Sequence, residues 1–306
     1  MVNPKYAFFE GRIVPIEQAK IDIRTNSLQY GNAVFEGIRT YWSQSKQKNY
    51  IFKMEEHFKR FKESAHILMI DIKYSIPELC DITSELIKKE NYEEDSYIRP
   101  YAYNSGLTIG PKLIGNAQDL FIYSIPLGDY LDTSKPINVC TSSWTRISDN
   151  SIPPRAKISG SYVNAALQKT EALLNGYDEA IVLTSNSQHV SEGSAMNIFM
   201  VKNNKLITPP LTDDILEGIT RNTIIEIAKN ELGIKVKQRS IDRTELYTAD
   251  ELFFCGTGAQ ISPIGSVDKR TIGIGNMGKI TRELQNLYFR IVKNEFSKYS
   301  HWCTEV

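Results

Sequence analysis

Strand-like and helix-like patterns follow one another along these 306 residues without alternating one for one, and that order constrains the fold most. A doubly wound parallel sheet needs a regular exchange of strand and helix, so this chain is expected to pack as mixed α/β layers. Residues 6–14 read as two short strands around Glu10-Gly11, and residues 49–52 as another. Residues 55–68 form a predicted helix with Phe58, Phe61, Ala65 and Leu68 on one face. Residues 75–89 form a second, with Ser75 as N-cap and Leu79, Ile82, Leu86 and Ile87 inward. An apolar strand at 120–125 then runs into the turn-rich stretch 127–136.

That stretch is the expected connector between a small domain, 1–126, and a larger one, 137–306, since single cores stop growing near about 250–300 residues. In the larger domain, strands are predicted at 137–140, 179–184 and 251–255. Residues 197–201 and 206–208 flank a Lys-Asn-Asn-Lys turn and read as a hairpin. A helix over 161–175 is closed by Gly176, and one over 221–232, with Ile224, Ile225, Ala228 and Leu232 in one stripe, by Gly233.

Charge is balanced at 36 basic and 36 acidic residues, so no net field favours nucleic acid or an anionic membrane. Neither a secretory leader nor an apolar run of membrane-spanning length is visible. Cys80, Cys140, Cys255 and Cys303 lie far apart with no CxxC pair, which reads as buried free thiols in a reducing cytoplasm. His57, His66, His189 and His301 are scattered, and Glu55-Glu56-His57 reads as a solvated helix face, so no metal site is expected.

The chemistry gathers in four segments. Lys157 stands in Arg155-Ala-Lys-Ile-Ser-Gly-Ser-Tyr162, ahead of a helix, where small neighbours let a bulky group approach the backbone. A lysine amine made nucleophilic by burial or nearby charge can join an aldehyde, and Tyr162, in the first helical turn, can hydrogen-bond the same group. Glu192 reads either as a salt-bridged strand-end carboxylate or as the partner that keeps a pyridine nitrogen protonated. Gly193, Ser194 and Ala195 leave room for a ring, and Asn197 can orient the loop.

Gly218-Ile219-Thr220 opens a helix whose N-terminal N–H groups suit a phosphate. Gly256-Thr257-Gly258 offers a second cup of backbone donors; Ile261 in place of a third glycine argues against a dinucleotide oxidoreductase. Arg60 reads either as a cation for the phosphate or as an exposed helix arginine. Amine, carboxylate, helix N-terminus and backbone cup are together what an enzyme holding pyridoxal 5′-phosphate requires. Intact Lys157 and Glu192 weigh against a cofactor-free binding or scaffold protein.

Glu192-x-Ser-x-x-Asn-Ile-Phe199, Leu206-Ile-Thr208 and Leu216-x-Gly-Ile-x-Arg221, at their spacing from Lys157, resemble the signature of the class IV (fold type IV) aminotransferases. Tyr30-Gly-Asn-Ala-Val-Phe-Glu-Gly-Ile-Arg-Thr-Tyr41, Tyr97-Ile-Arg-Pro100 and Ala249-Asp-Glu-Leu-Phe-Phe-Cys-Gly-Thr257 resemble the branched-chain amino acid aminotransferases, so the likeness spans nearly the whole chain. The resemblance implies a two-domain α/β fold with a smaller N-terminal domain and a barrel-like mixed sheet in the larger one.

It implies transfer of the amino group of L-leucine, L-isoleucine or L-valine to 2-oxoglutarate. Lys157 would hold the cofactor and shuttle a proton at the substrate Cα; Tyr162 and Glu192 would hold its ring, with Leu216 packed on it. Arg60, Ile219, Thr220 and Thr257 would bind the phosphate. Tyr97, Thr257 and Gly258 would take the substrate α-carboxylate; Arg99, Tyr30 and Tyr130 the glutamate side chain; Phe35 and Gly37 would line the apolar pocket. In such enzymes a homodimer shares the site, so Tyr30 and the loop around 107–109 would come from the neighbouring chain.

Leu127 stands where some members carry tryptophan, and Gly258 and Gln260 depart from the common Gly-Thr-Ala-Ala-Glu, which bears on substrate range. D-amino acid and (R)-amine transaminases and 4-amino-4-deoxychorismate lyase share the fold. Arg99 and Val34-Phe-Glu-Gly-Ile-Arg39 favour the branched-chain activity over these.

Overall fold

The computed structural model describes residues 4–128 and 133–306, which fall into two units. One comprises the residues up to Gly128 with Ala156–Gly160 and Arg290–Val306; the other holds the residues from Arg155 back to the connector and Ser161–Phe289. The sequence places 137–306 in one block. Backbone pairing regroups two pieces of it: Val34 bridges Ile158, and a C-terminal strand, Cys303–Glu305, pairs with residues 50–52.

The first unit contains β1 (Tyr6–Phe9), β2 (Arg12–Pro15), β3 (Ala33–Phe35), β4 (Ile38–Ser43), β5 (Lys48–Phe52), β6 (Ser96–Asn104) and β7 (Gln118–Pro126). With Cys303–Glu305 they make an antiparallel sheet in the order Cys303–Glu305, β5, β4, β6, β7, β1, β2, with β3 also on β6. Gly11, at φ +80°, supplies the turn between β1 and β2.

Three helices accompany the sheet: α1 (Asn26–Tyr30), α2 (Met54–Ile67) and α3 (Ile76–Glu90). Ser75 caps α3 as expected, its hydroxyl accepting from Glu78 N while the Glu78 carboxylate accepts from Ser75 N. On α2 the buried face is Met54, His57, Phe58, Phe61, Ser64 and Ala65. His57 is therefore not on a solvated face. It lies one residue before Phe58 and turns inward with it, while Glu55 and Glu56 remain exposed.

The second unit contains β8 (Ile137–Thr141), β9 (Glu179–Leu183), β10 (Val190–Gly193), β11 (Asn197–Lys202), β12 (Lys205–Thr208), β13 (Val236–Gln238), β14 (Glu251–Gly256), β15 (Gln260–Val267) and β16 (Arg270–Thr271). They form a mixed sheet in the order β10, β9, β8, β15, β14, β11, β12, β13, with β16 on β15. The pairs β8–β9, β8–β15 and β12–β13 are parallel. Asn203 and Asn204, both at positive φ, close the predicted β11–β12 hairpin.

The helices here are α4 (Tyr162–Leu174), α5 (Ile219–Asn230), α6 (Arg243–Leu246) and most of α7 (Lys279–Val292), whose residues from Arg290 on count with the first unit. Helix α5 begins two residues before the expected Arg221, with Gly218 as N-cap. Its inward stripe is Ile224, Ile227 and Ala228; Ile225 is half-buried and Leu232 lies past the end. Ile181, Ile198, Phe254 and Ile264 belong to the core on which the sheet is built.

Candidate active site

In the first unit, Lys157 is fixed by its backbone. Its N–H donates to Ser64 Oγ at 3.1 Å, and its carbonyl accepts from Phe35 N at 3.0 Å. Its amine stands 4.8 Å from the centre of the Phe35 ring, and the Arg99 guanidinium stands 4.4 Å from that same centre. Arg99 Nη2 also donates to the Tyr97 hydroxyl at 3.3 Å, while among the described residues its buried Nε has no hydrogen-bond partner. Gly37 is required by Tyr97, because an added Cβ would overlap the phenol.

What approaches the small residues after Lys157 is the backbone of Gly31: its carbonyl accepts from Gly160 N at 3.0 Å and from Ser159 Oγ at 2.9 Å. Gly31, at φ +65°, ends the short helix that carries Tyr30. The Tyr30 hydroxyl accepts from Gly110 N at 2.9 Å, which ties α1 to the 104–117 loop.

Arg60 is not an exposed helix arginine. Its Nε and Nη2 donate to the two oxygens of Glu36 at 2.7 and 2.9 Å, and His57 Nδ1 lies 2.7 Å from Glu36 Oε2. Burial alone would raise the Glu36 carboxyl; the Arg60 guanidinium, then the bond from His57, outweigh it and hold the carboxyl well below its usual range. Burial also pushes His57 below its ordinary value, against the pull of Glu36. The trio thus sets one carboxylate between a guanidinium and an imidazole whose Nδ1 donates to it.

In the sequence neither Glu36 nor His57 stands apart as a site residue. The signal present was the 36–37 dipeptide inside the Val34–Arg39 motif.

In the second unit, Glu192 sits on β10 and is 3% exposed. Its Oε1 faces Arg146 Nη2 at 2.6 Å; its Oε2 accepts from Asn197 Nδ2 at 2.8 Å and from Leu216 N at 3.3 Å. The salt bridge left open by the sequence therefore exists, and Arg146 is a partner that no motif exposes. Asn197 Nδ2 also donates to the Leu216 carbonyl at 2.9 Å, so β11, β10 and the approach to α5 are locked together.

Gly218 caps α5, and an added Cβ there would overlap the Asn197 carboxamide oxygen. Ile219 and Thr220 form the first turn of α5, Thr220 being buried. Arg221 is buried as well, donating to the Pro209 carbonyl and to Gln238 Oε1, each at 2.9 Å. Burial pushes its guanidinium below its ordinary value.

Tyr162 opens α4, and Thr257 and Gly258 form the turn between β14 and β15. Tyr130 lies outside the described residues.

The donor set fits pyridoxal phosphate. Lys157 offers an amine set against an aromatic face in the first unit; in the second, Glu192 offers a buried carboxylate of fixed orientation and α5 a helix N-terminus that no described side chain caps.

Residues 33–267 match the model of the family described as amino-transferase class IV. A probable branched-chain-amino-acid aminotransferase of Aquifex aeolicus is 50% identical over 301 residues, 98% of this chain and 96% of its own. The crystal structure of a branched-chain aminotransferase from Thermoproteus uzoniensis with norvaline has a TM-score of 0.94 at 40% identity, with 99% of each chain covered. A further branched-chain amino acid aminotransferase, crystallised in complex with N-(5′-phosphopyridoxyl)-L-glutamate, has a TM-score of 0.93 at 34% identity, again with 99% of each chain covered. A family match over most of the chain and full-length relatives at this identity lead to one conclusion: the chain belongs to the class IV aminotransferases, enzymes that work with pyridoxal phosphate.

Proposed function

We propose that this enzyme moves the amino group of L-leucine, L-isoleucine or L-valine to 2-oxoglutarate in two half-reactions. The observation that carries the substrate class is Arg99. Its charge rests on the Phe35 face and the Tyr97 phenol rather than on a carboxylate, and its Nε–H is buried without an acceptor among the described residues. A cation held this way can receive the side-chain carboxylate of glutamate, yet is not stripped of all contact when an aliphatic chain enters. Relatives of the chain are named for the branched-chain reaction, and solved ones hold norvaline or a glutamate adduct of the cofactor.

Bound pyridoxal phosphate supplies an aldehyde that accepts the amino group and a ring that takes up the electron pair released at the substrate Cα. Lys157 holds the cofactor and moves the proton at Cα. Glu192 would pair with the ring nitrogen, Tyr162 would hydrogen-bond the phenolic oxygen, and Leu216 would pack on the ring. Arg60, oriented by Glu36, would bind the phosphate, as would Ile219, Thr220 and Thr257. Tyr97, Thr257 and Gly258 take the α-carboxylate, Tyr30 and Tyr130 join Arg99, and Phe35 and Gly37 line the apolar pocket.

The chain pairs with a second copy of itself in the cytoplasm. Exposed Ile23, Leu28, Leu107, Ile109 and Ile114 around α1 and the 104–117 loop support the pairing. Four free cysteines support the reducing location.

The test is to mix the pyridoxal-phosphate-loaded protein with one amino acid at a time and follow the cofactor absorbance. L-leucine and L-glutamate are each expected to discharge it, and Lys157→Ala to abolish both reactions. Discharge by D-alanine or an (R)-amine but by neither L-amino acid would overturn the assignment.

A further inference from the structure

Arg146 belongs to none of the motifs, and the geometry gives it a task. Its Nη2 stands 2.6 Å from Glu192 Oε1, with the two side chains 13% and 3% exposed. Its Nε donates to the neutral carbonyl of Asp214 at 3.1 Å. Its backbone is fixed too: N donates to the Leu183 carbonyl at 2.8 Å, and the residue forms a parallel bridge with Thr184. Arg146 is tied to the end of β9, and β10 pairs with β9, so the guanidinium and the carboxylate meet across that one strand. The two oxygens of Glu192 are treated unequally. Oε2 receives two neutral donors, Asn197 Nδ2 and Leu216 N, whereas Oε1 receives a full positive charge.

This asymmetry matters for a proton. A carboxylate and a pyridine nitrogen in contact share one proton, which rests on whichever has the greater affinity for it. Burial favours the neutral acid, and so draws the proton onto the carboxyl; an adjacent guanidinium favours the anion, and so leaves it on the ring. Only the protonated ring is a strong electron sink. We propose that Arg146 is a positioning residue for the transamination. Acting through Glu192, its charge keeps the shared proton on the cofactor's ring nitrogen. The inference rests on the reading that Glu192 faces that nitrogen.

The test uses wild type, Arg146→Gln, which keeps a hydrogen-bond donor but removes the charge, and Arg146→Lys, which keeps the charge but not the planar fork. Each is loaded with pyridoxal phosphate labelled with ¹⁵N in the ring. The ring-nitrogen resonance is recorded, together with the affinity of the stripped protein for pyridoxal phosphate and the leucine half-reaction rate.

The expected result is a protonated ring in wild type and Arg146→Lys and an unprotonated one in Arg146→Gln. The leucine rate of Arg146→Gln should fall on the order of 10- to 100-fold, the range seen when groups behind a liganding side chain are removed. A purely structural role would weaken cofactor affinity without moving the resonance. If Arg146→Gln binds the cofactor and its ring stays protonated, the proposal is overturned while the enzyme assignment stands. If Arg146→Gln does not fold, Arg146→Lys decides: retention of the ring proton supports the charge-based role, and its loss overturns it. A wild type that takes up no pyridoxal phosphate overturns both.

Discussion

Arg99 keeps its charge on aromatic faces, 4.4 Å from the centre of the Phe35 ring and 5.2 Å from that of Tyr97. Such contacts hold a cation without neutralising it. Removing the guanidinium should therefore damage the charged substrate and spare the aliphatic one. For Arg99→Ala, kcat/KM for glutamate is expected to fall roughly 10- to 100-fold, in line with about 1.5–3 kcal/mol for a charge-assisted hydrogen bond, and that for leucine much less. Steady-state kinetics on both substrates check this, and equal losses would remove Arg99 from the role. Arg60 contrasts with it: two of its N–H groups are committed to Glu36, so its orientation is set before any anion arrives.

Arg99 is carried by strand β6 and Arg60 by helix α2. On α2, His57, Arg60 and Ser64 follow at helical spacing, so one face serves both the Glu36 carboxylate and the Lys157 backbone. Helix α5 depends on a residue outside it. Gly218 leaves the space in which the Asn197 carboxamide reaches Glu192 and the Leu216 carbonyl. Gly218 has ordinary extended angles, so alanine would meet no backbone penalty, but it would collide with Asn197 and crowd Arg221 Cβ. Gly218→Ala is expected to weaken pyridoxal phosphate binding roughly 5- to 30-fold, the equivalent of about 1–2 kcal/mol for disrupted buried hydrogen bonds. Titration of the stripped protein with the cofactor measures it; unchanged affinity would mean that the Asn197 lock does not shape the phosphate seat.

For the whole molecule, Ile109 is 89% and Ile23 84% exposed, an unusual display for side chains of that size. The second copy proposed above would cover them. Ile109→Asp should shift the protein from dimer to monomer at micromolar concentration in sedimentation velocity, with its secondary structure intact. A wild type already monomeric there would refute the pairing.

Some of this was legible in the residues alone. Lys157, Glu192 and the Gly218 cap lie within short contiguous segments whose chemistry is readable without a fold, and hydrophobic period with cap and turn residues located α2, α3 and nine of the seventeen described strands. The chain by itself thus pointed to the cofactor chemistry, and its resemblance to a known family to the reaction class. Tertiary structure decided which charges meet. Glu36 finds His57 and Arg60 at separations of 21 and 24 residues, and Arg146 finds Glu192 only because β10 folds back on β9. It also decided that Ala156–Gly160 and Arg290–Val306 leave their sequence neighbours for the first unit. Period and spacing record what each residue does to its near neighbours, whereas an ion pair depends on where the backbone brings distant residues, which no local pattern encodes.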